Sequence, residues 1–117
     1  RGEALAKELD CELIHAREAG THSIDVLINC SPVGMSPKIN ESPFLARDFK
    51  AGMVVFDSVY NPMETRLLRE AKAAGCEVIF GSELFINQAA RQFELWTGQT
   101  APVDAMREVL MENGPRP

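Results

Sequence analysis

The sequence predicts an α/β fold built on a mainly parallel sheet, and three observations carry that prediction. The apolar runs "IDVLIN" (24–29), "GMVVFD" (52–57) and "CEVIF" (76–80) are short and rich in branched residues. They read as strands buried on both faces, the pattern of parallel sheets covered by helices. Stretches of helical periodicity follow the second and third runs, and glycines or prolines punctuate the junctions. Strands alternating with helices in this way indicate parallel pairing through right-handed crossovers.

Each element can be justified in turn. The opening "GEALAKEL" places Ala4, Leu5 and Leu9 on one stripe with Lys7 and Glu8 off it, as at the end of an amphipathic helix. Neither an initiator Met nor a capping residue precedes Arg1, so the chain reads as a piece of something longer. "CELIHA" is a short strand candidate and "AREAGTHS" a loop, with His15 and His22 expected to be solvated. After "IDVLIN", the segment "CSPVGMSPKINESPF" holds three prolines and a glycine in fifteen residues, which excludes regular structure. A long ordered loop in a compact domain is commonly functional.

Beyond "GMVVFD", Asn61 is expected to cap a helix whose first position is Pro62, where a missing N–H costs nothing. Its buried stripe would be Met63, Leu67, Leu68 and Ala71, and Gly75 would end it. "CEVIF" comes next; Gly81 and Ser82 then turn into "ELFINQAARQFELWTG", with Phe85, Ala89, Phe93 and Trp96 along one face and Gly98 as its stop. A last helix, "PVDAMREVLMENG", leads into the polar tail "GPRP".

Composition bounds the function. At 117 residues and 45% apolar content the chain suits one small core. Net charge is −5 with dispersed Lys and Arg, which gives no basic face for nucleic acid. No apolar run approaches the roughly 20 residues of a bilayer span, and the start lacks a signal-peptide core, so a cytoplasmic protein is expected. Cys11, Cys30 and Cys76 are an odd, widely spaced set without a C-x-x-C pair. They are expected to be small buried hydrophobes in a reducing compartment, with no metal site.

In open parallel sheets ligands bind beyond the carboxyl ends of the strands. Three runs end in "NCSPVGM", "DSVYNP" and "GSELF", and these ends should converge on one edge. The catalytic templates are missing: the sequence has no G-x-S-x-G, no H-E-x-x-H, no phosphate loop and no G-x-G spacing. Asp57 ends a strand where a general base could sit, although an aspartate there more often caps the next turn. Gln88 and Gln92, four apart on one helix, could bond a carboxylate or hydroxyl; a solvated pair is the plainer alternative.

Taken together, "DVLINCSPVGMSP", "VVFDSVYNPMETRLLREAKAAG" and "GSELFINQAARQFELWTG" resemble, in order and spacing, the carboxy-terminal part of shikimate dehydrogenases. The dehydrogenase half of fused dehydroquinate dehydratase/shikimate dehydrogenases is similar too. The resemblance runs from about Arg1 to about Leu110. It implies a partial Rossmann-like parallel sheet, the distal half of a dinucleotide-binding domain, with flanking and terminal helices. It further implies an NADP-dependent oxidoreductase that interconverts 3-dehydroshikimate and shikimate on the chorismate route to aromatic amino acids.

Carried over position by position, the resemblance gives Gln88 a hydrogen bond to the shikimate ring substituents and sets Tyr60 on the substrate side of the cleft. Ser58 and Gly81 match positions whose backbone contacts the nicotinamide end of NADP. Asn29 and Ser31 match the loop beside the cofactor, and Leu84 stands where many members place a methionine, a swap that conserves volume. The family's catalytic Lys/Asp pair, its substrate-carboxylate serines, its glycine-rich turn and its segment for the 2′-phosphate have no counterpart here. No catalytic residue is therefore expected in the chain, which should be inactive by itself. In the usual strand order, two strands without counterpart in this chain would lie between "CELI" and "IDVLIN", leaving an open sheet edge through which the chain could self-associate. A quinate/shikimate dehydrogenase-like enzyme and a small non-enzymatic binding or assembly module are the alternative readings.

Overall fold

The computed structural model describes residues 2–113. Its sheet has three strands, β1 (Val26–Asn29), β2 (Val54–Asp57) and β3 (Glu77–Ile79), all parallel and side by side in chain order. Four α-helices accompany them: α1 (Gly2–Glu8), α2 (Arg66–Ala73), α3 (Gly81–Thr97) and α4 (Val103–Asn113). Single turns of 3₁₀ helix lie at Ala16–Thr21 and Ala46–Asp48. The tail 114–117 lies outside the described residues.

The three strongest apolar runs form the three strands, and α2 crosses one face of the sheet. Because side chains alternate along a strand, the register aligns Leu27, Val55 and Val78 in one row. Val55 is fully buried in the core with Leu67, Leu68 and Ala71 of α2, while Leu27 and Val78 pack against that cluster. Phe44 and Phe49, from the long loop and its end, close the same cluster with rings 4.9 Å apart.

The opposite face departs from expectation. Ile28, Phe56 and Ile79 align across the sheet, but no described helix covers them as α2 covers the other side. Val26 and Ile28 stay 56% and 54% exposed, against 0% for Val55. The strands are thus buried on one face rather than both, and the outer edge of β1 pairs with no strand among the described residues.

Other expectations also give way. "CELIHA" forms no strand, since among the described residues no strand lies beside it to pair with. The α1 stripe is not packed either: Leu5 and Leu9 are exposed. Asn61 and Pro62 do not start α2. The peptide between them is cis, and the helix begins four residues later with Thr65 as its cap, whose hydroxyl accepts the Leu68 N–H at 3.3 Å. Met63 consequently lies outside the helix. The helix ends as expected at Gly75, which adopts φ 81°, a left-handed conformation that glycine takes without strain.

Gly81 is the first residue of α3 rather than part of a turn before it. The buried face of α3 is Gly81, Ser82, Ile86 and Ala90, whereas Trp96 is 80% exposed. The predicted stripe of Phe85, Ala89, Phe93 and Trp96 is therefore displaced by one position. The cysteines differ as well: Cys11 and Cys30 are exposed and Cys76 is half-buried. Burial pushes the Cys76 thiol up, and the thiol donates to the Lys50 carbonyl at 3.4 Å. His15 is exposed and His22 partly so, as solvated loop histidines should be. Among the described residues no helix is long and apolar enough to cross a membrane, and no cluster of His, Cys, Asp and Glu could hold a metal ion.

Candidate functional site

The carboxyl ends of the strands do converge, through a buried polar network. Alternation places Asn29 and Asp57 on the α2 side of the sheet, directly opposite each other in register. Asp57 is fully buried. One carboxylate oxygen accepts the Asn29 amide at 2.9 Å and the Val59 backbone N–H at 3.0 Å. The other accepts the Thr65 hydroxyl at 2.6 Å. With its lone pairs engaged by protein donors, Asp57 has the structural role of the two weighed for it: it ties β2 to β1 and to the cap of α2.

Asn29 extends the network into the long loop. Its side-chain oxygen accepts both the Ser31 N–H at 3.0 Å and the Ser31 hydroxyl at 2.7 Å. Its amide also reaches the Val33 carbonyl at 3.3 Å. Buried side chains of this kind need such partners, and here the partners set the course of the loop. Asn29 stands behind the cleft wall, while Ser31 forms part of it.

Two cavities open above the strand ends. The larger, about 400 Å³, is lined by the Cys30–Pro32 segment, Met35 and residues 58–61. The smaller, about 230 Å³, is lined by Ser58, Tyr60, Gly81, Leu84, Phe85 and Gln88. Ser58 and Tyr60 belong to both, so the cavities are neighbouring parts of one cleft. In α3 the lining residues 81, 84, 85 and 88 follow the i, i+3, i+4, i+7 spacing of a single helix face.

Gly81 sets how closely that face approaches. A Cβ at this position would lie 2.4 Å from the Val59 carbonyl oxygen and 2.7 Å from that of Ser58. Only a glycine lets α3 start against the chain leaving β2. From the far side, Arg107 of α4 is hydrogen-bonded to Glu83 in the first turn of α3. That bond and the carboxylate's charge push the Arg107 pKa up. The lining of both cavities is neutral, with no Lys or Arg.

Gln88 and Gln92 are both exposed, and Gln88 reaches the smaller cavity. Of the sequence-nominated residues, Ser58, Tyr60, Gly81, Leu84 and Gln88 meet around that cavity, Ser31 lines its neighbour and Asn29 lies behind. Phe85, Cys30 and Met35 were missed as lining residues. Phe85 stands four residues after Gly81, a spacing that would have brought it to the cleft had it not been assigned to a buried stripe.

Comparison with known proteins points to one family. The family model described as the shikimate 5′-dehydrogenase C-terminal domain matches residues 81–111, which span α3 and most of α4. A shikimate dehydrogenase (NADP(+)) of Methanopyrus kandleri is 40% identical over 124 residues, covering 97% of this chain and 43% of the relative. The solved shikimate 5-dehydrogenase of Thermus thermophilus, in complex with NADP(H) and shikimate, superposes with a TM-score of 0.81 at 34% identity. The match covers 94% of this chain and 41% of that one.

The chain matches the carboxy-terminal part of the shikimate dehydrogenase family.

Within the shikimate dehydrogenase family the likeness is not confined to one activity. A quinate dehydrogenase from Corynebacterium glutamicum, solved in complex with NAD, matches with a TM-score of 0.78 at 31% identity over 95% of this chain and 41% of its own length. The chain thus spans about two-fifths of the length of each of these relatives. The partial Rossmann-like sheet expected from the family is the fold observed.

Proposed function

We propose that this chain forms one wall of the active-site cleft of an NADP-dependent shikimate dehydrogenase, which interconverts 3-dehydroshikimate and shikimate. One observation carries the reading. Ser58, Tyr60, Gly81, Leu84 and Gln88, nominated from two separate stretches of sequence, line a single cavity at the strand ends. Tyr60 and Gln88 would serve the substrate hydroxyls, Leu84 would pack near the nicotinamide, and the backbone at Ser58 and Gly81 would meet the nicotinamide end of NADP. Asn29 holds the Ser31 loop beside the cofactor.

The neutral lining fits the flat nicotinamide ring of NADP. It does not suit the phosphates, which need cationic or backbone N–H partners from a segment with no counterpart in this chain. When bound, NADP accepts or supplies the hydride; this chain's residues bind and orient. Proton transfer falls to groups in an amino-terminal substrate domain, so the 117 residues alone are inactive. The shikimate pathway and a cytoplasmic setting follow from the same reading. The likeness to a quinate dehydrogenase complexed with NAD keeps quinate and NAD as the second reading.

The test is to produce the chain joined to the segment that completes its relatives and to compare shikimate with quinate, and NADP with NAD. Shikimate with NADP should be preferred. Gln88→Ala should raise KM with little change in kcat, losing on the order of 1 to 3 kcal/mol as a substrate hydroxyl is left unpaired. An unchanged KM would remove Gln88 from the site, and turnover by the isolated chain would overturn the division of labour.

A further inference from the structure

Phe85 has no task in the reading above, yet its ring lies against that of Tyr60, with centroids 4.8 Å apart and planes 26° from parallel. Both rings remain partly exposed, at 37% and 39%, so the pair is not a core contact. It sits in the lining of the smaller cavity together with Gln88. The two residues arrive from different elements. Tyr60 follows β2 in a segment without regular structure, whereas Phe85 lies one turn into α3.

The backbone under the pair is already held. Asp57 accepts the Val59 N–H, and Gly81 brings α3 against the Ser58 and Val59 carbonyls. What these contacts leave free is the side-chain torsion of Tyr60. A partly exposed phenol on an irregular segment has several staggered positions open to it, and a stacked aromatic neighbour favours one of them.

We infer that Phe85 is a positioning residue for a polyhydroxylated ring substrate: it acts through Tyr60, holding the phenol at the cavity so that its hydroxyl and the Gln88 amide form a pre-set pair of polar groups. The inference rests on the substrate reading proposed above. Because neither ring takes part in hydride or proton transfer, the contact contributes to binding of substrate and transition state alike and is read in KM rather than kcat.

Tyr60 is the only tyrosine in the chain, so protein labelled with ¹³C-tyrosine reports on this ring alone. In Phe85→Leu the Tyr60 ring signals should move as the neighbouring ring current is lost, with the melting temperature and far-UV circular dichroism retained; Phe85→Tyr should keep the Tyr60 signals beside those of the ring it adds. In the completed dehydrogenase Phe85→Leu should raise KM for shikimate about three- to tenfold with kcat unchanged, and Phe85→Tyr should restore KM. Ring signals identical in wild type and Phe85→Leu would overturn the proposal, as would moved signals with an unchanged KM. A wild-type enzyme that turns over no shikimate would fail the substrate reading alone, and the ring signals would still decide whether Phe85 holds Tyr60.

Discussion

The Asn29 amide donates to the Asp57 carboxylate at 2.9 Å, joining the carboxyl ends of two adjacent parallel strands beneath the cleft. Through Ser31, Val59 and Thr65 the same pair governs the long loop, the segment leaving β2 and the start of α2. Replacing Asp57 by Ala removes the acceptor shared by the Asn29 amide, the Val59 N–H and the Thr65 hydroxyl. We expect a loss of about 2 to 4 kcal/mol, read as a lower urea midpoint at unchanged m-value. A midpoint within error of wild type would mean that the network does not hold the strand ends together.

Gly81 allows α3 to begin in contact with the Ser58 and Val59 carbonyls. A methyl group there meets backbone rather than a flexible side chain, so Gly81→Ala must displace either the helix or the strand exit. The expected cost is about 1 to 3 kcal/mol, measured by thermal unfolding. If the variant melts like wild type, the close approach is not needed for the fold.

The cysteines should differ in reactivity. Cys30 is exposed beside the cleft, whereas burial pushes the Cys76 thiol up. The thiolate is the reacting form, and a raised pKa leaves less of it at any pH below that pKa. Single-cysteine variants treated with an aromatic disulfide reagent at about pH 8, close to the ordinary thiol pKa, should therefore react faster at Cys30 than at Cys76, and the gap should narrow as pH rises. Equal rates under those conditions would contradict the shift.

Among the described residues no helix covers the Val26 and Ile28 face of the sheet and no strand pairs with the outer edge of β1, so we predict that the isolated chain self-associates. Sedimentation at increasing concentration should show its average mass rising, and Ile28→Lys, which sets a charge among the exposed apolar residues, should return it towards monomer. A wild-type chain that stays monomeric across the series refutes this expectation.

Much of the fold was legible because it rests on local pattern. Short branched runs could bury only as strands, and Gly75 and Gly98 stop their helices with left-handed backbone, φ 81° and 67°. The site was legible in part for a related reason: parallel strands send their carboxyl ends to one edge, so residues following three runs had to meet. The cap of α2 was not legible. Asn61 is the better local candidate, but Thr65 can bond both the Leu68 N–H and the Asp57 carboxylate, and the second partner exists only once β2 is in place. The α3 stripe failed similarly, since Phe85, Ala89, Phe93 and Ile86, Ala90 are equally periodic sets and the packing of α3 against α4 and against the segment leaving β2 selects between them.

By itself, then, the sequence determined the strands, most of the helices, the edge at which a ligand would lie and the family likeness, because each depends on residue type and spacing along the chain. Only the tertiary structure decided that no described helix covers one sheet face, that Asp57 is a buried junction, and that Phe85 stacks on Tyr60. Those outcomes depend on which surfaces and donors other elements bring near, and local periodicity carries no record of them.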